Sequence, residues 1–195
     1  MRRWRKEVNM SFYQVNLAAC LNHRMVYEGE VSSPNAGLEG LYTIRNRFYE
    51  GNLHPLVNGI PFALSAGEFD NVSACGQVVP VNQRVTRIHV LGFSYWGSFN
   101  ELLMLQCADG TSAEAEIILL DLSTQDKLET NLLYCHFYDC YDHLLDGGRF
   151  PTFGTVQISA SCHHSVCTLP EPLELAEIVL PENPLMHILA ITVEG

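Results

Sequence analysis

Strand-like alternation dominates this chain, and short clusters of Gly, Pro, Asn and Asp interrupt it. Ser11-Phe12-Tyr13-Gln14-Val15-Asn16-Leu17 alternates apolar and polar residues at period two, as a strand with one wet face does. Residues 31–42, with Ser, Pro, Asn and Gly, read as an irregular loop. Asn58-Gly59 is a turn signal running into a short strand at Ile60-Pro61-Phe62, and a further turn is expected at Phe69-Asp70-Asn71. Cys75-Gly76 predicts a hairpin. In the centre, 84–93 places Val85, Ile88, Val90 and Leu91 on a mostly buried strand. Residues 100–107 form the next strand, and Asp109-Gly110 closes a hairpin into 113–122. Segments 132–138, 155–161, 173–180 and 186–193 complete a set of about ten strands, with Pro181-Glu182-Asn183-Pro184 turning between the last two. The one helix candidate, 124–131, is short.

Many strands at short spacing, without alternating helices, predict an all-β fold: a two-sheet antiparallel β-sandwich with at most one short helix. No repeat, low-complexity tract or linker divides the chain, so residues 10–195 read as one domain. Residues 1–9 are set apart, being basic in an acidic protein and preceding a second methionine, Met10. Lys6-Glu7-Val8 is what a ribosome-binding site read in frame would encode. Residues 1–9 are therefore expected to be a non-native leader or a disordered tail.

Composition narrows the partners. Eleven basic residues against twenty-two acidic ones give a net charge of -11, which repels phosphate backbones and anionic lipid, so neither nucleic acid nor membrane is expected as a partner. Only 17% of residues are charged and 47% are hydrophobic, the balance of a packed globule. A chain this long buries on the order of 70% of its unfolded surface and needs no disulfide or metal staple. No apolar run reaches signal-peptide or membrane-spanning length, and the seven cysteines are an odd number, so reduced thiols in a cytoplasm are expected.

Three segments carry a family resemblance. They are Asn58-Gly59-Ile60-Pro61-Phe62 with Asp70-Asn71-Val72 and Gly76-Gln77, then Thr86-Arg87-Ile88-His89-Val90-Leu91-Gly92 with Ala108-Asp109-Gly110-Thr111, and finally 178–184 with 187–192. Together they resemble a β-sandwich module associated with bacterial glycoside hydrolases. The resemblance implies a jelly-roll sandwich similar to the galactose-binding type, and a carbohydrate or glycan-related small molecule as partner. It is carried by strands and turns, so it bears on the fold more than on any activity.

Sugar recognition uses flat aromatic faces on pyranose C–H groups, with polar side chains for the hydroxyls. Phe93-Ser94-Tyr95-Trp96-Gly97-Ser98 offers this at a loop, with Trp96 the first stacking candidate and Tyr95 the second; the alternative is that Trp96 caps the core. The segment 134–143 holds three tyrosines, two histidines and two aspartates in its ten residues. Tyr138, Asp139, Asp142 and His143, with Arg149 after the Gly147-Gly148 pair, are the candidate polar ligand-binding residues, the alternative being a solvated edge. Cys162-His163-His164-Ser165-Val166-Cys167 has zinc-ligand residue types, alone or with Cys135, Cys140 or His143, but adjacent histidines point to opposite faces of a strand and no metal is assigned. His89 and His187, inside apolar strands, read as core residues with satisfied ring nitrogens. No nucleophile elbow, phosphate loop or metalloprotease helix is present, and no cofactor is expected. A non-catalytic carbohydrate-binding module is the leading expectation. The alternatives are a small sugar-active hydrolase or lyase, metal-dependent or not, and a structural partner of a separately encoded glycosidase, or a homodimer, docking through a sheet face.

Overall fold

The structure, a computed structural model, describes residues 11–25, 42–44, 52–122, 133–142 and 156–195, with the backbone alone described in 42–44, 133–142 and 156–161. Its elements are strands: β1 (Phe12–Gln14), β2 (Tyr42–Ile44), β3 (Leu56–Val57), β4 (Ile60–Pro61), β5 (Val72–Ser73), β6 (Val78–Ser94), β7 (Phe99–Cys107), β8 (Ser112–Leu119), β9 (Leu133–Asp142), β10 (Val156–Val179) and β11 (Met186–Glu194). No helix occurs among the described residues. The helix candidate at 124–131 and most of the 31–42 loop lie outside them.

One antiparallel sheet follows the path β1-β11-β6-β10-β7-β8, with β5 also on β11, and with β9 on β10 and β2 on β9; β3 and β4 form a separate hairpin. The long strand β6 lies between β10 and β11, which pair both its edges, and from Ile88 onward its residues are buried, with a core cluster on each face. Side chains alternate across a strand. Ile88 and Val90 therefore point into the larger core, and Leu91, Phe93 and Tyr95 into a smaller cluster on the opposite face.

The sheet curls toward the larger core into a half-barrel. β7 pairs with β8 from Phe99↔Leu119 to Gln106↔Ser112, and β7 also pairs with the end of β10. Past β8, Leu122 donates its N–H to the Ser94 carbonyl and Ser94 donates to Leu120 (2.8 Å each), which brings the curl back to β6 through a parallel bridge. Backbone groups on the free edge of β8 find side-chain partners on β10: Ser165 Oγ accepts the Ile118 N–H and the Cys167 thiol donates to the Glu116 carbonyl. Such pairing satisfies groups that burial would otherwise leave costly. Inside the curl, Leu103, Leu105, Ala115, Ile117 and Leu119 meet Val79, Val85, Ile88, Ile178 and Ile191. Gly92 is required here, because a Cβ would collide with the His187 carbonyl oxygen.

Two features differ from the sequence reading. The turn at Cys75-Gly76 does not join a hairpin: β5 pairs with β11, which lies between it and β6. Gly76, at φ 72°, turns the chain there while its N–H donates to the Pro181 carbonyl. And residues 156–161 and 173–179, expected in two separate strands, belong to one 24-residue strand, β10. Pro170 and Pro172 fall where its register with β6 shifts, between Thr168 and Leu173, and a bulge tolerates residues without an N–H.

The β3–β4 hairpin lies over the smaller cluster. Asn58 and Gly59 both take positive φ (56° and 79°), the requirement of a two-residue type I′ turn. Phe62, fully buried, and Leu64 pack with Met25, Leu91, Phe93 and Leu189. A register shift in β11 between Ile188 and Ala190 turns both Leu189 and Ala190 toward this cluster. Residues 52–64 thus form a strap across the second face of β6.

Candidate functional site

Side-chain hydrogen bonds hold the turn between β6 and β7. Ser94 Oγ donates to the carbonyls of Gly97 (2.6 Å) and Leu119 (2.8 Å). Asp121 Oδ2 accepts the Gly97 N–H (2.8 Å), and Ser98 Oγ accepts the Asp121 N–H (3.0 Å). A hydroxyl carries one proton, so the two Ser94 bonds share it. Within this frame Trp96 stands at φ 63°, a conformation that costs an L-residue about 1–2 kcal/mol, and its side chain is 61% exposed. Tyr95 is buried, with its ring 5.1 Å from the indole and tilted by 39°. Tyr95 therefore backs the Trp96 ring rather than offering a face of its own.

Of the other candidate residues, Tyr138, Asp139 and Asp142 lie in β9, and His143 and Arg149 lie outside the described residues. Asp142 pairs with Val156 on one side and Tyr42 on the other. Tyr138 and Asp139 occupy a bulge: Ile158 pairs with Cys140 but Ala160 with Phe137, so two residues of β9 oppose Ser159. Bulges recur where a sheet re-aims its side chains. The ladder relates this bulge to the Trp96 turn. His163 pairs with Gly92, which puts Ser161 level with Ser94, and Ser161 pairs with His136, two residues short of the bulge. The Trp96 turn and the Tyr138-Asp139 bulge thus share one end of the sheet.

His163 and His164 point to opposite faces of β10. Both are buried, and burial lowers each to about 4. For His163 the Asp121 backbone and charge oppose that shift, whereas for His164 the neighbouring His89 adds to it. Cys167 is pushed up to about 12 by burial and then by the Glu116 charge, so it is held as a thiol. Cys135 stands opposite Cys162 in the register. Among the described residues no group of three or more His, Cys, Asp or Glu side chains could hold a metal ion.

Two polar networks with buried centres join residues far apart in sequence. In the first, Asn58 meets His164 Nδ1 (3.0 Å), His164 Nε2 meets His89 Nδ1 (3.1 Å), His89 Nε2 meets Glu194 Oε2 (3.4 Å), and Arg87 reaches both Glu194 oxygens (3.2 and 3.3 Å). The carboxylate can only accept, so His89 donates from Nε2 and accepts at Nδ1. His164 then donates from Nε2 and accepts at Nδ1, and Asn58 supplies its NH2. One end of the chain thereby assigns every proton along it. In the second network, His187 Nδ1 donates to Asn71 Oδ1 (2.9 Å), and Asn71 Nδ2 donates to Asp70 (2.7 Å) and His23 (3.0 Å). Phe93 stacks on the His187 ring at 5.0 Å, and burial, followed by His23, holds His187 well below the usual histidine range.

His89 and His187 are buried with bonded ring nitrogens, as their place inside apolar strands predicts, but the sequence marks Asn58 only as a turn residue and does not single out Asp121 or Glu194. No local pattern links His89 to His164, 75 positions on, or to Glu194, 105 on. No protein-family model and no curated protein matches this chain. The likeness to glycosidase-associated modules therefore rests on the three segments quoted above.

Proposed function

We propose that this protein is a non-catalytic carbohydrate-binding module, built as a jelly-roll sandwich of the galactose-binding-like type. Trp96 is its stacking platform, and the polar groups of the Tyr138-Asp139 bulge, with Asp142, His143 and Arg149, bond the sugar hydroxyls. The observation that carries this reading is Trp96 itself: a large aromatic, 61% exposed, in a left-handed conformation on a turn tied by Ser94, Asp121 and Ser98. Backbone strain at an exposed aromatic fits a functional role better than a packing role. The ligand is neutral or cationic, because the net charge of -11 opposes an anionic one.

Calorimetry across a panel of neutral and amino-sugar oligosaccharides tests the reading. It expects one glycan class to bind wild-type protein and to lose at least tenfold in affinity with Trp96→Ala. Absence of binding across the panel, or binding unchanged in Trp96→Ala, overturns it.

A second reading is favoured by a different surface. Val78, Val179 and Met104 form one cross-strand row on the outward face, with Leu102 beside it; Val78, Met104 and Leu102 are exposed. Glu177, Glu114 and Glu116 border the row. Such a face suits docking to a separately encoded glycosidase with a basic rim. Leu102→Asp should abolish that association and leave glycan binding intact.

A further inference from the structure

The strap 52–64 is joined to the sheet beneath it by two side-chain hydrogen bonds and one apolar cluster. Asn58 donates to His164, and Thr192 Oγ1 donates to the Pro61 carbonyl (2.7 Å). Phe62 packs edge-on against the His164 ring at 5.4 Å, and Val57, Ile60 and Leu64 join the buried cluster. Its two short strands, continued by the Phe62 N–H to the Pro55 carbonyl and the Leu64 N–H to the Leu53 carbonyl, form a lone two-stranded hairpin, which is marginal without a sheet below.

We propose that the strap is an acid-released cover: protonation of the His89–His164 pair detaches residues 52–64 and bares the apolar face formed by Leu91, Phe93 and Leu189. The proton positions in the chain decide what acid does to it. With both histidines neutral, every donor in the chain from Asn58 to Glu194 meets an acceptor. A first added proton, at His164 Nδ1, is accommodated only if Asn58 turns its carbonyl toward the ring. A second, at His89 Nδ1, leaves two N–H groups facing each other across 3.1 Å, and the bond between the rings is lost.

Glu194 favours an added charge on His89 but is already paired with Arg87, and the other groups around the two rings offer that charge nothing. β6 contributes Arg87, β11 contributes Glu194, and this pair is already neutral as a unit. From β1, the ring of Phe12 lies 6.3 Å from His89. Val166, the β10 residue paired with His89, is uncharged, and Leu133 of β9, opposite His164, is uncharged by identity. The strap's own titratable group, His54, is exposed.

The sign follows from linkage. In the closed form both histidines sit below their ordinary value of 6.5, His164 at about 4 through burial and then His89, and His89 through burial opposed by Glu194. Closure is therefore fully favoured above 6.5 and weakens as pH falls from 6.5 toward 4. The opening constant rises by up to about tenfold per pH unit for each histidine, and about a hundredfold for the pair.

Amide hydrogen exchange between pH 7.5 and 4.5, corrected for the intrinsic pH dependence of exchange, tests this on peptides covering 52–64 and on peptides covering β7 and β8. In wild-type protein the logarithm of the strap's opening constant should rise with a slope that exceeds one per pH unit, ahead of any loss in β7–β8. His164→Gln preserves the chain, since its amide oxygen accepts from Asn58 and its NH2 donates to His89, but it does not titrate in this range. Its strap slope should fall below one, the remainder coming from His89 alone. The proposal is overturned if the slope is the same in both proteins, or if strap and β7–β8 lose protection in a single step. Should His164→Gln fail to fold, a wild-type strap slope below one overturns it on its own.

Discussion

Replacing Trp96 by alanine and by glycine separates what its side chain does from what its backbone costs. Both variants remove the indole, so their difference reads the φ of 63° alone. An alanine there retains the left-handed penalty of about 1–2 kcal/mol. Glycine escapes it but gives back about 0.5–1 kcal/mol through its freer unfolded chain. Trp96→Gly should then be about 0.5–1 kcal/mol more stable than Trp96→Ala. Relative to wild type, Trp96→Ala loses the ring's partial burial against Tyr95. With 61% of the side chain exposed, that is at most roughly 100 Å2, or about 1–2 kcal/mol. Urea unfolding followed by far-UV circular dichroism resolves the difference as a midpoint shift of about 0.3–0.6 M. Equal midpoints, or a more stable alanine variant, would refute the claim that the Ser94, Gly97 and Asp121 contacts hold the turn in a strained state. Neither variant should bind glycan, so greater stability accompanied by lost binding is the joint signature.

Glu194→Ala removes the acceptor of the His89 Nε2–H and should cost about 1–3 kcal/mol. Because Glu194 raises His89 against its burial, the same change should drive His89 further down, seen as a lower midpoint in an NMR titration of its ring protons. Gly92→Ala forces a methyl onto the His187 carbonyl and the Leu119 side chain, and should lower stability by at least about 1–3 kcal/mol in a urea melt. Among the described cysteines, exposed Cys75 should alkylate in native protein, while Cys167, buried and pushed up to about 12, should react only in denaturant, as peptide mass spectrometry can show.

The strands that sequence reveals are those whose signals are local. β7 and β8 are legible because two alternating runs flank Asp109-Gly110, and Thr111 caps that turn by donating twice to Asp109. β11 is legible because a mostly apolar run begins just after a proline-rich turn. The misreadings arise where the partner is distant. Two prolines in 168–173 look like a strand break, yet β10 runs on because β6 on one side, and β9 and then β7 on the other, hold it. Cys75-Gly76 looks like a hairpin, yet β11 intervenes between its arms. For Trp96 the residue is visible in sequence, but its exposure is not. A core cap and a presented ring share the same letters, and the turn geometry set by Asp121, 24 positions from Gly97, decides between them.

The two faces of β6 use different physics for different ends. On the inner face nearly every contact is aliphatic, so stability comes from area removed from water, and small shifts in register are resisted by volume alone. On the strap side the same strand and its neighbours carry His89, His164, Thr192 and Glu194, all buried. Well-packed apolar residues at these positions would be as stable or more so, since buried ionic groups rarely repay their desolvation. What the polar chain adds is direction. Apolar contact is non-directional, whereas Asn58 meets His164 in only one position of the turn, and Pro61 meets Thr192 in the same one. The apolar cluster keeps the strap down, and the hydrogen bonds determine where it lies. Because that positioning depends on two neutral imidazoles, the chain that locates the strap is also the part of it most sensitive to acid.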